Sequence, residues 1–194
     1  VWRHYWHNME WGFLGLLSYM GQGIPDFMDK QFAEKAAKYS ETHDKQWLVR
    51  TPSLSDAEWR AKVAAHMQAQ AKLAMPFGGA YDYCMGDEMS LTYYTQYFDF
   101  DWSPHSLRDF RKWLQARYPS LEALNRAWET SFATWDAVVP MTLQEAQGRA
   151  NAAPWCEFRD FMNDVVADFY AMVQATLKKV DPKVPATSLG VQAF

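Results

Sequence analysis

The sequence predicts an α/β fold in which parallel strands alternate with helices. Three observations carry that reading. Short β-prone runs alternate with longer runs whose apolar residues recur every three or four positions, the pattern of strands interleaved with helices. Helix starts are marked by serine or threonine caps and by proline at the first helical position. The chain of 194 residues, 49% of them hydrophobic, carries no repeat, low-complexity tract or linker, so residues 1–194 read as one domain around one core.

The N-terminal stretch Val1–Phe13 is aromatic-rich and partly alternating, which suits a buried strand ending in a polar loop. Gly12, Gly15, Gly21 and Gly23 loosen the chain before Pro25. Asp26 to about His43 reads as a helix. Gln46–Arg50, bounded by Thr51-Pro52, reads as a short strand. Ser55-Asp56-Ala57-Glu58 fits a capping box, with Trp59, Val63, Met67 and Leu73 on or near one stripe of the next helix, to about Ala74. Met75–Gly79 is a loop. Ala80–Met85 is a strand, ending in Gly86-Asp87-Glu88.

An aromatic loop spans Leu91–Asp101. Ser103-Pro104 opens a helix to about Tyr118, with Leu107, Phe110, Trp113 and Leu114 on its apolar face. Ser120 starts a second, short helix containing Leu124 and Trp128. Thr142–Glu145 fits another capping box. Pro154 opens the longest helix, to about Val180, where Trp155, Phe158, Met162, Val165, Phe169, Val173 and Leu177 recur at helical spacing. Asp181-Pro182 ends it, and Val184–Phe194 reads as a last strand.

Composition excludes several function classes. The net charge is −4 with no Lys/Arg cluster, so the basic stripe of a nucleic-acid surface is missing. No apolar run reaches the roughly 18 residues needed to cross a bilayer. Two cysteines, Cys84 and Cys156, are too few for a disulfide framework or a four-cysteine zinc site. Phosphate-loop, dinucleotide and serine-hydrolase signatures are missing. Aromatic residues make up 16% of the chain, with ten Trp, ten Tyr and twelve Phe. These large rings suit a heavy core, or a sugar cleft in which flat faces stack on pyranoses.

Glu88 is the leading candidate for chemistry. In parallel α/β folds, reactive groups gather at the C-terminal ends of strands. A glutamate there, next to Asp87 and near Tyr81 and Tyr83, is open to partial desolvation, which raises a carboxyl pKa towards what a general acid needs. The competing reading is a solvated loop acid. The segment His4–Trp11 is the second candidate. Trp6, His7 and Asn8 combine a stacking ring with hydrogen-bonding groups suited to a sugar, against plain packing as the alternative. His4 and His7 face opposite sides of a strand and have no ligand-spaced partner, so no metal is expected.

The run Y-D-Y-C-M-G-D-E (81–88), followed by F-R-K-W-L-Q-A-R-Y (110–118), L-E-A-L-N-R-A-W (121–128) and W-D-A-V-V-P (135–140), resembles the middle of a β-galactosidase of glycoside hydrolase family 42. The likeness covers roughly residues 47–190. It implies a partial (β/α)₈ TIM barrel, roughly strands 3 to 5, in a retaining glycosidase that acts on β-galactosides or related β-linked sugars. Glu88 matches the family's general acid/base, and the nucleophile comes from a strand beyond Phe194. Asp87, Trp6, His7, Asn8, Tyr81 and Tyr83 are the expected substrate contacts.

The chain departs from the family pattern in three ways. Asp87 stands where the family has asparagine, and an ionised carboxylate only accepts where an amide also donates. Ser103-Pro104-His105-Ser106 stands where many members carry zinc-binding cysteines, so neither zinc nor any other cofactor is expected. A complete barrel typically needs about 250 residues. The chain also opens Val1-Trp2 without methionine, and both features read as an excised piece. The open sheet edge would then be covered by more protein or by a second copy. A carbohydrate substrate is the expected partner, with no nucleic acid or membrane. The alternative is a non-catalytic carbohydrate-binding or assembly protein on the same scaffold.

Overall fold

The computed structural model describes residues 30–77, 83–87, 91, 98–183 and 186–189. Six helices carry the described residues: α1 (Lys30–Thr42), α2 (Ala57–Ala74), α3 (Pro104–Gln115), α4 (Leu121–Trp128), α5 (Leu143–Gln147) and α6 (Ala153–Lys178). Two short strands, β1 (Tyr83–Asp87) and β2 (Ala186–Leu189), pair in parallel.

The expected partial barrel of alternating parallel strands and helices is therefore corrected. The described residues are predominantly helical, and their only sheet is this two-stranded ladder. The expected strand at 46–50 shows why. Lys45–Leu48 is a turn of 3₁₀-helix, because the Asp44 side chain accepts from Gln46 N at 2.9 Å and offers the backbone a local alternative to a ladder. The backbone on either side of this segment's end is held by distant partners: Arg50 N donates to Asp101 Oδ1 at 3.0 Å, while Trp102 N donates to Leu48 O at 2.9 Å. A five-residue apolar run cannot by periodicity alone declare itself strand or buried turn. The expected strand over 1–13 lies outside the described residues.

The helices start where short-range chemistry dictates. Ser103 Oγ accepts from Ser106 N, with Pro104 at the first helical position, and Ser120 Oγ accepts from Ala123 N, both at 3.2 Å. Thr142 and Glu145 form a reciprocal capping box, with Thr142 N donating to Glu145 Oε2 at 2.9 Å and Glu145 N to Thr142 Oγ1 at 3.2 Å. At α2 the cap is Asp56 rather than Ser55. Its carboxylate accepts from Glu58 N at 2.9 Å and Trp59 N at 3.3 Å, so the helix begins one residue later than the S-x-x-E spacing suggests.

α6 is the spine of the core. Its stripe of Phe158, Phe161, Met162, Val165, Phe169, Val173 and Leu177 is buried, and each such side chain contributes about 1.5–3 kcal/mol relative to exposure. Trp59 of α2 stacks on Phe169 with centroids 5.4 Å apart and planes 13° apart. Phe110 of α3 meets Phe158 edge-on at 5.0 Å and lies against Trp128 of α4 at 6.1 Å. Much of the aromatic excess is thus spent on helix packing. Asp181 follows the end of α6, and β2, a few residues further on, pairs in parallel with β1.

Candidate active site

β1 runs Tyr83-Cys84-Met85-Gly86-Asp87, and Glu88 is the next residue in the chain. Tyr83 pairs with Ala186, Cys84 with Thr187 and Asp87 with Leu189. Between the last two pairings β1 advances three residues while β2 advances two, so β1 carries one extra residue there. Such a bulge bends its strand and re-aims the side chains beyond it, and bulges recur beside active sites. Here it falls between Cys84 and Asp87, the last residue of the strand.

The opposite end of β1 is held differently. Tyr83 is fully buried, and its hydroxyl donates to Asp181 Oδ2 at 3.3 Å. Asp181 is buried too, and its backbone N–H donates to Leu177 O at 2.9 Å in the last turn of α6. Burial, reinforced by the neighbouring carboxylate, pushes the Tyr83 phenol up to about 12, so it keeps its proton and acts as a donor at neutral pH.

Two further buried carboxylates fix the segment that leads from the region of β1 into α3. Asp99 Oδ2 accepts from Leu143 N at 2.8 Å and its Oδ1 from Trp155 Nε1 at 3.1 Å. Burial raises the Asp99 carboxyl above the usual carboxylate range, and these two donors and the Arg159 charge only partly offset it. Asp101 Oδ1 accepts from Arg50 N at 3.0 Å and Ser103 N at 2.8 Å, and its Oδ2 from Ser103 Oγ at 3.0 Å.

Of the residues expected from sequence, Glu88, Trp6, His7, Asn8 and Tyr81 lie outside the described residues. Asp87 closes β1 as the partner of Leu189. Tyr83 stands at the start of the strand with its hydroxyl committed to Asp181. The serines of Ser103-Pro104-His105-Ser106 have work of their own: Ser103 caps α3, and buried Ser106 Oγ lies 3.7 Å from Met162 Sδ. No group of three or more His, Cys, Asp or Glu suited to a metal occurs among the described residues. Among those residues, too, no helix is long and apolar enough to cross a membrane.

Sequence reasoning passed over Asp181, Asp99 and Asp101. Asp181-Pro182 reads as a helix stop, and D-F-D (99–101) as part of an aromatic loop. The one available signal was the i, i+2 spacing of two carboxylates around Phe100, a pattern that places both on the same side of an extended segment.

A family model described as beta-galactosidase, of glycoside hydrolase family 42, matches residues 21–193. A beta-galactosidase from Arthrobacter sp. is 32% identical over 84 residues, 41% of this chain and 12% of that protein. The beta-galactosidase BglY of Alicyclobacillus acidocaldarius is 33% identical over 85 residues, again 41% of this chain and 12% of that protein. In structure, the chain is similar to a beta-galactosidase from Rahnella sp. R3, with a TM-score of 0.56 and 24% identity over 70% of this chain and 19% of that one. That last likeness is one of fold. The matched part of this chain spans about an eighth of the length of the curated relatives.

Proposed function

The chain belongs to glycoside hydrolase family 42, the beta-galactosidase family, and we propose that it supplies the acid/base side of a retaining glycoside hydrolase acting on β-galactosides or related β-linked sugars. The observation that carries the reading is the position of Glu88, immediately after the C-terminal end of β1 and inside the family match.

In this reading Glu88 works twice. As a carboxylic acid it protonates the glycosidic oxygen while a second carboxylate attacks the anomeric carbon. The C–O bond to the leaving group breaks and a glycosyl–enzyme bond forms. As a carboxylate it then takes a proton from water, whose oxygen displaces the enzyme carboxylate with overall retention. The two carboxyls must lie about 5–5.5 Å apart. Asp87, Tyr81, Trp6, His7 and Asn8 are the proposed sugar contacts, whereas Tyr83 is fully buried with its hydroxyl bonded to Asp181.

The test is Glu88→Gln in the full-length protein. Hydrolysis of galactosides with poor leaving groups is expected to fall about 10²–10⁴-fold, the usual size of general acid catalysis. Wild-type turnover on those substrates would remove Glu88 from the role.

A further inference from the structure

The bulge in β1 creates a positioning problem. A ladder with an extra residue between Cys84 and Asp87 does not by backbone pairing alone carry the register of Tyr83 through to the strand end. The strand must be fixed upstream of the bulge if the residues beyond it are to point reproducibly. Tyr83 is where that fixing takes place. It is the first paired residue of β1, its side chain is fully buried, and its hydroxyl reaches a carboxylate 98 residues away in sequence.

Asp181 is a suitable anchor for it. Its backbone N–H is bonded to the last turn of α6, the longest helix of the core, and it lies five residues before Ala186, the ladder partner of Tyr83. One side-chain hydrogen bond therefore joins the end of α6, the approach to β2 and the start of β1. Burial and the Asp181 carboxylate keep the phenol protonated, and so a donor, at neutral pH.

We propose that Tyr83 and Asp181 form a positioning pair that sets the placement of the C-terminal end of β1, the residue from which the chain continues into Glu88. The inference rests on the reading of Glu88 as acid/base. Neither residue touches the reacting atoms; the pair acts through the geometry of β1. Small displacements of a reacting group are costly to rate. The effect should therefore appear only where proton delivery by Glu88 limits the reaction.

The experiment compares kcat/KM of the full-length protein on two galactosides, one with a poor alkyl leaving group and one with a 2,4-dinitrophenyl leaving group that departs without protonation. Tyr83→Phe is expected to lower the value for the poor leaving group about tenfold and to leave the activated substrate within about twofold. Asp181→Asn keeps an acceptor oxygen, and it should show a smaller loss with the same leaving-group dependence. It carries the test if Tyr83→Phe does not fold. Added to Glu88→Gln, Tyr83→Phe should produce no further leaving-group-dependent loss.

Equal losses on both substrates would reduce the pair to a fold contact and overturn the inference. Unchanged kinetics in both variants would overturn it as well. If Glu88→Gln itself leaves the poor substrate untouched, the acid/base reading fails, and the inference falls with it through a different arm of the experiment.

Discussion

The indole N–H of Trp155 donates to Asp99 Oδ1 at 3.1 Å, tying the first turn of α6 to the segment that enters α3. The other oxygen of the same carboxylate takes the Leu143 N–H at the start of α5. One buried acid thus pins two helices. Its burial holds the carboxyl above its usual range, while the two donors, with Arg159, pull the other way and Glu145 adds a smaller upward push.

That direction gives a pH prediction. An acid whose folded pKa is raised binds its proton more tightly in the native state than in the unfolded chain. Its stabilising contribution is complete below the unfolded value of about 3.9 and is lost as pH rises through the higher folded value. The stability of the wild type relative to Asp99→Asn should therefore decline as pH is raised from about 3 through that window. Thermal unfolding of the two proteins across about pH 3–7 measures it, and a difference that grows with pH would contradict the assignment.

Glu157 is a different kind of acceptor. Its Oε1 alone takes both the Trp128 indole N–H at 3.1 Å and the Tyr118 hydroxyl at 2.5 Å. Glu157→Ala strands both donors, one on a fully buried ring, and should cost about 2–3 kcal/mol. Glu157→Gln keeps an oxygen in place and should cost less than about 1 kcal/mol. Denaturant titration of both variants checks the ordering, and equal losses would show that the charge, not the acceptor, matters.

Glu129 closes α4 with φ 55° and ψ 47°, in the left-handed region, and its side chain is exposed. A β-carbon there is strained, while glycine adopts that conformation freely. Glu129→Gly should raise stability by about 0.5–1 kcal/mol. A thermal midpoint unchanged or lowered by the substitution would contradict this.

What was legible in the sequence was local. Ser103, Ser120 and the Thr142–Glu145 box declare their helices because each cap is made with a residue three positions on. α6 declares itself by the recurrence of Phe158, Met162, Val165 and Phe169. The partial barrel expected from the resemblance is not what the described residues form. At Gln46–Arg50 an Asp44 cap and a distant Asp101 outcompeted strand pairing, and neither is written into a five-residue apolar run. The same limit applies near the site. Glu88 is noticeable because it comes directly after a strand, whereas the Tyr83–Asp181 and Asp99–Trp155 bonds span 98 and 56 residues. Contacts of that range exist only after folding.

The product formed by Glu88→Ala in the full-length protein shows whether Glu88 is the acid/base of a double displacement. With a 2,4-dinitrophenyl galactoside the first step needs no acid, so the glycosyl–enzyme forms and then waits for a general base that is gone. Azide is an anion and attacks without a base. Added azide is expected to accelerate turnover and to yield a galactosyl azide of retained β configuration. If azide neither accelerates turnover nor appears in the product, Glu88 does not act as the acid/base.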